Sequence, residues 1–269
     1  MSNPSSSRAG RSVVASVVIV SSRSGVGGLT LVAVCALKST AMILEHLPHR
    51  QVPADDLATA APPAFARPFP RGVEPDDVRV TRVAAAFRGF LEALGLDLDD
   101  PDLARTDQRV ARAYEELFAG LRPQHEPRLE TFPNTERHGG LVSVTGIPFH
   151  SLCAHHFLPF FGVAHVGYVP GERLAGLSKL ARSVEFHARR PQLQERLTEG
   201  IASWLDERLA PAGVIVAVEA RHLCMEMRGV AKAGALTTTT TVRGVCADER
   251  LQEQFRARCA GAGAPRGAW

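Results

Sequence analysis

Two short clusters, Cys153-Ala154-His155-His156 and His222-Leu223-Cys224, stand far apart in the chain, and any fold it adopts has to account for both. Thiolates and imidazoles are the soft and borderline donors that zinc prefers. Cys153 and His156, three residues apart, can face one ion from a single turn of chain. Cys224 then completes a three-donor set and leaves a fourth position open, the arrangement of a catalytic zinc rather than a structural one. His155 and His222 adjoin the donors and are spare bases of the kind a hydrolytic site needs. A zinc finger is excluded, because the chain has no Cys-x-x-Cys pair. A Cys-x-x-His alone more often marks a buried thiol beside an incidental imidazole, so the sequence around it decides the matter.

Between the clusters lie Gly176-Leu177-Ser178-Lys179-Leu180-Ala181-Arg182 and Arg190-Pro191-Gln192-Leu193-Gln194-Glu195-Arg196-Leu197-Thr198. After Cys224 come Met227-Arg228-Gly229-Val230 and the run Thr237 to Thr241. In this order and at these spacings, the segment from about Leu141 to Val245 resembles the GTP cyclohydrolase I family. Those enzymes use zinc to open the imidazole ring of GTP, release formate and reclose the product as 7,8-dihydroneopterin triphosphate.

The resemblance implies a role for each motif. Cys153, His156 and Cys224 are the zinc ligands. His222 is the proton donor to the purine, His155 the second acid or base, and Ser178 joins the later ring closure. Glu195 is the carboxylate that answers the two donors of the guanine edge, with Gln194 beside it. Adenine would leave that carboxylate unpaired, so the choice of base is discriminating. Lys179, Arg182 and Arg228 are the phosphate-binding cations, and Ser178 stands at a helix start, where free backbone N–H groups suit an anion. His150, His165 and His187 fall in strand or helix patterns outside the matching motifs and read as structural. Arg189 and Arg190 receive no role.

Composition narrows the class. A chain of 269 residues with a formal charge of +3 has ample length for a core and too little charge to argue for nucleic acid. Its basic residues are nearly all arginine, lysine occurring only at Lys38, Lys179 and Lys232. A lysine inside a polar motif therefore stands out as a point charge suited to phosphate. Five cysteines, two of them read as ligands, do not make a disulfide framework, and a reducing cytoplasm fits. The apolar runs Val13 to Val20 and Leu29 to Leu37 are each shorter than the roughly 18 to 20 residues that cross a bilayer. Arg8 and Arg11 precede the first run as in a signal peptide, but export would part the chain from GTP, so residues 1–74 are expected to be a weakly ordered extension and linker. Met42 is a plausible start.

Order is expected from Pro75. Val80, Val83, Phe87, Phe90, Leu91 and Leu94 recur at helical spacing up to Gly95, and Val110, Ala113, Tyr114, Leu117, Phe118 and Leu121 mark a second helix. From Leu141 the period shortens to two. Leu141 to Thr145 and Gly162 to Tyr168 read as strands flanking the metal loop, Val214 to Glu219 and Leu236 to Val245 as two more. Helices are expected from Ser178 and after Pro191, the latter burying Leu193, Leu197, Ile201, Trp204, Leu205 and Leu209. The fold class is α+β. The resemblance implies a tunnelling fold, an antiparallel sheet with two helices on one face, closed into a barrel by edge-to-edge oligomerisation, usually as a decamer of two pentamers with sites between subunits. The expected division is an extension over 1–74, a helical pair over 75–123, a catalytic domain over 124–260 and a flexible tail over 261–269.

Three positions depart from the family pattern. Ala154 stands where the family usually has glutamate, Asp107 where it commonly has proline, and Gly146 where it has aspartate. They mark a divergent member. Three other readings stay open on these grounds: a variant that stops at a ring-opened intermediate, a non-catalytic purine- or pterin-binding relative, and the nitrile-reducing branch of the fold. The intact ligand set argues against the last two, and the chain has no glycine-rich dinucleotide fingerprint for the nicotinamide that the nitrile-reducing branch needs.

Overall fold

The structure is a computed structural model that describes residues 76–261 and a three-residue strand, Ile19–Ser21 (β1). The expectations for the rest of the N-terminal extension and for the tail beyond Gly261 lie outside the described residues.

Two helices come first. Asp76–Ala93 (α1) carries Asp76 and Asp77 in its first turn, where carboxylates suit the positive end of the helix dipole. It stops before Gly95, whose φ of 73° ends the helical path. Thr106–Leu117 (α2) packs against it. Arg79 joins them, its Nε and Nη2 donating to the two oxygens of Glu115 at 2.6 and 2.8 Å. Arg122 pairs with the same carboxylate.

The main sheet is built from Val142–Cys153 (β3), Pro159–Val169 (β4), Pro191–Gln192 (β6), Gly213–His222 (β7) and Leu236–Gly244 (β8), in the order β1-β8-β7-β4-β3-β6. All neighbours are antiparallel except β3 and β6. Thr131–Pro133 (β2) and Arg173–Ala175 (β5) form a separate small ribbon. Leu177–Ala188 (α3) and Gln194–Leu209 (α4) bury their apolar stripes against one face, with Val166, Tyr168, Leu180, Val184, Leu197, Ile201, Leu205 and Val216 in that core. Leu193, expected in the core, is the half-buried residue just before α4. Glu249–Gly261 (α6), absent from the sequence expectation, covers part of the other face through Phe255, Ile215 and Val169. The result is α+β, as expected.

β3 is longer than the alternating pattern suggested and runs to Cys153 itself. Its pairing with β4 slips between Val144 and Ile147, where Gly146 adopts φ 70° and donates its N–H to Nδ1 of buried His165 at 3.2 Å. A bulge of this kind breaks the two-residue period, which is why the strand read as ending early. At Gly162 a Cβ would meet the Glu219 carbonyl oxygen at 1.8 Å, so β4 and β7 approach there only because that side chain is missing. Among the described residues, β6 covers the outer edge of β3 only at Leu152 and Cys153, and the rest of that edge has no strand beside it. None of the described helices is long and apolar enough to cross a membrane.

Candidate metal centre and active site

The sheet brings the two clusters together at one end. β3 finishes on Cys153, the chain turns through Ala154–Leu158, and β4 begins at Pro159. The turn is tight: Phe157 N–H donates to the Cys153 carbonyl at 2.8 Å and Cys153 N–H to that of Leu158 at 2.9 Å, with Phe157 held at φ 54°. From outside, β6 fixes the loop, because Ala154 N–H donates to the Gln192 carbonyl at 2.9 Å. β7 pairs with β4 so that His222 lies opposite Phe160, and the single turn Leu223–Glu226 (α5) then carries Cys224 to the loop. The Cys153 and Cys224 sulfurs and a ring nitrogen of His156 all lie within 4.8 Å of one another. His156 turns Nδ1 toward the Cys153 sulfur at 3.7 Å, and Arg228 approaches its Nε2 at 3.3 Å. Burial, with the neighbouring Cys153 sulfur adding to it, raises the Cys224 thiol above its ordinary range. Two sulfurs and one imidazole at this spacing fit a zinc ion and leave it a free position.

His222 is the most constrained of the spare bases. Its ring stacks on Phe160 with centroids 4.7 Å apart and planes 2° from parallel. Nε2 lies 2.7 Å from Gln194 Oε1. The amide nitrogen of Gln194 donates to the carbonyls of Val218 and Thr237 at 2.9 and 2.8 Å, so its oxygen must face the imidazole and His222 donates from Nε2. Gln194 is buried with both N–H groups in use, and within this chain it serves His222. Burial lowers the His222 pKa, against the opposing charges of Glu195 and Glu226. Glu195, next to Gln194 in the first turn of α4, is exposed. His155 is exposed as well, its ring centroid 6.1 Å from that of His156.

The other phosphate and ring-closure candidates lie elsewhere. Ser178 and Lys179 occupy the first turn of α3, which follows Gly176 and sits beside the far end of β4, where the Ala175 N–H donates to the Tyr168 hydroxyl at 2.9 Å. Lys179 faces Glu130 at 3.7 Å. From Phe160, under His222, to Tyr168 is eight residues of strand, about 26 Å at the usual rise. Arg182, one turn further along α3, lines a cavity of about 480 Å³ with Ile147, His150, Glu185 and Arg189. One chain therefore gathers Cys153, His155, His156, Gln194, Glu195, His222, Cys224 and Arg228 at one end of the sheet and holds Ser178 and Lys179 at the other.

Residues 83–260 match the family model for GTP cyclohydrolase I. The chain belongs to the GTP cyclohydrolase I family. A GTP cyclohydrolase 1 of Mycolicibacterium paratuberculosis is 55% identical over 166 residues, covering 61% of this chain and 81% of the relative. Those of Clostridioides difficile and of a Geobacillus strain are 51% and 53% identical over 165 and 169 residues, covering 61% and 62% of this chain and 87% and 89% of theirs.

For a GTP cyclohydrolase I family member, two features of the site escaped the sequence reading. Phe157 packs edge-to-face on Phe118 with centroids 5.8 Å apart, so the metal loop leans on the segment that follows α2. Arg221 and Glu226 bracket the corner that carries His222 and Cys224. The first had none, because it joins Phe157 to Phe118 across 39 residues and depends on a left-handed turn that a phenylalanine does not announce. The second had none, because a five-residue spacing belongs to neither strand nor helix periodicity.

Proposed function

We propose that the chain is a zinc-dependent GTP cyclohydrolase I that hydrolyses the imidazole ring of GTP and yields 7,8-dihydroneopterin triphosphate and formate. The observation that carries this reading is the meeting of Cys153, His156 and Cys224 beside a His222 whose Nε2–H is fixed by Gln194. Cys153, His156 and Cys224 would hold the ion, which when bound supplies the Lewis acidity that makes water nucleophilic near neutral pH. With Nε2–H committed to Gln194, Nδ1 is the His222 atom that exchanges a proton, and protonating purine nitrogen 7 makes carbon 8 electrophilic. His155, exposed beside the ligands, serves as the second acid or base. Glu195 answers the guanine N–H and amino group, and Arg228, Lys179 and Arg182 answer the triphosphate.

The placement of Ser178 and Lys179 supports an assembly in which one copy brings its metal end against the α3 end of another. The open outer edge of β3 supports the tunnelling fold, in which sheets join edge to edge and the barrel removes free edges. We infer a decamer of two pentamers, with residues 75–123 as a helical pair and 124–260 as the catalytic domain. Free thiols at the centre suit a reducing compartment such as the cytoplasm.

The test is incubation of zinc-loaded protein with GTP, reading formate release, pterin fluorescence after oxidation, and product mass. Zinc-loaded protein that makes no dihydroneopterin triphosphate would overturn the reading, and a ring-opened product would place the end point earlier.

A further inference from the structure

Cys224 stands on a corner with little of its own to hold it. β7 ends at His222, and α5 is one turn, far below the length at which a helix is stable by itself. The corner is bracketed instead by two side chains. Arg221, the last residue but one of β7, donates from Nε to Glu226 Oε1 at 2.8 Å and from Nη2 to Oε2 at 2.5 Å. This is a parallel two-bond pairing that fixes geometry as well as charge. The Glu226 side chain is 7% exposed and that of Arg221 34%, so the carboxylate lies inside the corner. Lys232 N–H donates to the Met225 carbonyl at 2.9 Å, so the loop before β8 closes onto the same turn. The guanidinium lies 5.7 Å from the Phe161 ring centre on β4, the strand that begins just after the metal loop.

We propose that Arg221 and Glu226 are positioning residues for the metal centre, their pairing setting where the Cys224 sulfur stands and how tightly the ion is held. The proposal rests on the zinc reading above. An exposed ion pair would contribute almost nothing. This one differs in its buried carboxylate and in its two parallel bonds. Without Arg221 the carboxylate loses its partner inside the corner; without Glu226 the one-turn α5 loses its two bonds to the end of β7.

The experiment follows zinc loss from the loaded full-length protein to excess chromogenic chelator. Arg221→Ala and Glu226→Ala should each release zinc roughly tenfold faster, the low end of what partners behind metal ligands contribute. The double variant should be no faster than the faster single, because the two act as one unit. Glu226→Gln keeps the size and one acceptor for Arg221, so it serves where the alanine variant does not fold, and it should speed release roughly threefold, less than the alanine variants. In cobalt-loaded protein the ligand-field bands should move in Arg221→Ala and in Glu226→Gln. Release within twofold of the parent in both Arg221→Ala and Glu226→Gln, or additive effects in the double variant, would overturn the proposal. So would thermal midpoints that fall equally with and without metal while the cobalt bands stay in place. A parent chain that takes up no zinc would overturn the metal reading and this role with it, whereas a loaded parent with unaffected variants removes the pair's role alone.

Discussion

The carboxamide oxygen of Gln194 lies 2.7 Å from Nε2 of His222, and both amide N–H groups of Gln194 are engaged by the carbonyls of Val218 and Thr237. The amide cannot flip without setting its oxygen against two carbonyl oxygens, so His222 is held in one tautomer by strands β7 and β8. Gln194→Ala should therefore leave zinc content unchanged and lower kcat roughly tenfold to hundredfold, less than the acid itself is worth. His222→Ala should cost more than Gln194→Ala, and the pair together no more than His222→Ala alone. Zinc loss in Gln194→Ala, or full activity, would show that the amide serves another end.

Cys224 supplies one of two sulfurs in a group of three side chains that could hold a metal ion. The purified protein should carry about one zinc per chain, and Cys224→Ser should lose it, since a serine hydroxyl is a poor donor for this ion near neutral pH. Elemental analysis decides it. Full zinc in the serine variant would mean that another group completes the site.

The two ends of the sheet offer a test of assembly that does not depend on counting subunits. Cys224→Ser should be inactive at the metal end and Lys179→Ala severely impaired at the α3 end. If a site takes its metal from one copy and its α3 turn from another, mixed oligomers of the two variants contain some intact sites. Co-assembled mixtures should recover a substantial fraction of parent activity, while each variant alone stays low. No recovery in oligomers proven to be mixed would mean that one chain supplies both ends.

Much of this architecture was legible because it obeys simple periods. The helical stripe of α4 follows from residues that bury on one side, such as Leu197, Ile201 and Leu205, and one face of β4 and β7 from Ala164, Val166, Val214 and Val216. Phe90 and Leu94 of the stripe expected on α1, by contrast, are exposed. Where position depends on distant partners the pattern failed. β3 looked short because the slip beside Gly146 breaks its alternation, and β6 is two residues whose strand character exists only through pairing with Leu152 and Cys153. α6 did carry a signal, the four-residue steps of Leu251, Phe255 and Cys259, faint against a polar background. At the site, residue types and spacing were enough to pick out three residues that the fold brings within 4.8 Å of one another. They could not tell that Gln194 turns inward to His222 while Glu195, one residue on, faces outward, because that depends on where β7 and β8 place their carbonyls.

His187 gives a pH dependence of stability separate from the metal centre. Burial above all pushes its pKa from 6.5 to about 4, with Arg190 and Arg208 adding to the effect and the hydrogen bond to the Ser183 carbonyl opposing it. The folded chain keeps this imidazole neutral while the unfolded chain takes up a proton below its ordinary pKa. The stabilisation is complete above about pH 6.5 and is lost as pH falls toward 4, below which both states are protonated and the effect is flat. The loss is on the order of 3 kcal/mol across that window. His187→Gln should be less stable than the parent at pH 7.5 and should close the gap by pH 4.5, read as thermal midpoints. A gap that stays constant with pH would mean that His187 takes up its proton equally in the folded and unfolded chains.

Ala154 puts a methyl group in the ligand loop between Cys153 and His155, half-buried, its N–H tied to the Gln192 carbonyl. The backbone bond does not depend on the side chain, so a glutamate can keep the loop's bond to β6. A carboxylate there would stand beside a centre whose near cation is Arg228, 3.3 Å from His156 Nε2. It would give Arg228 an acidic partner and hold the His156 ring more firmly. Ala154→Glu should therefore slow zinc loss to a chelator and raise turnover of GTP, by up to roughly tenfold, the low end of what partners behind metal ligands contribute. The product should stay dihydroneopterin triphosphate, because Cys153, His156, Cys224, His222, Gln194 and Glu195 keep their places. A variant that binds zinc more tightly yet changes the product mass would mean that the methyl sets the end point of the reaction. A variant with no change in either would mean that the loop does not transmit this position to the metal at all.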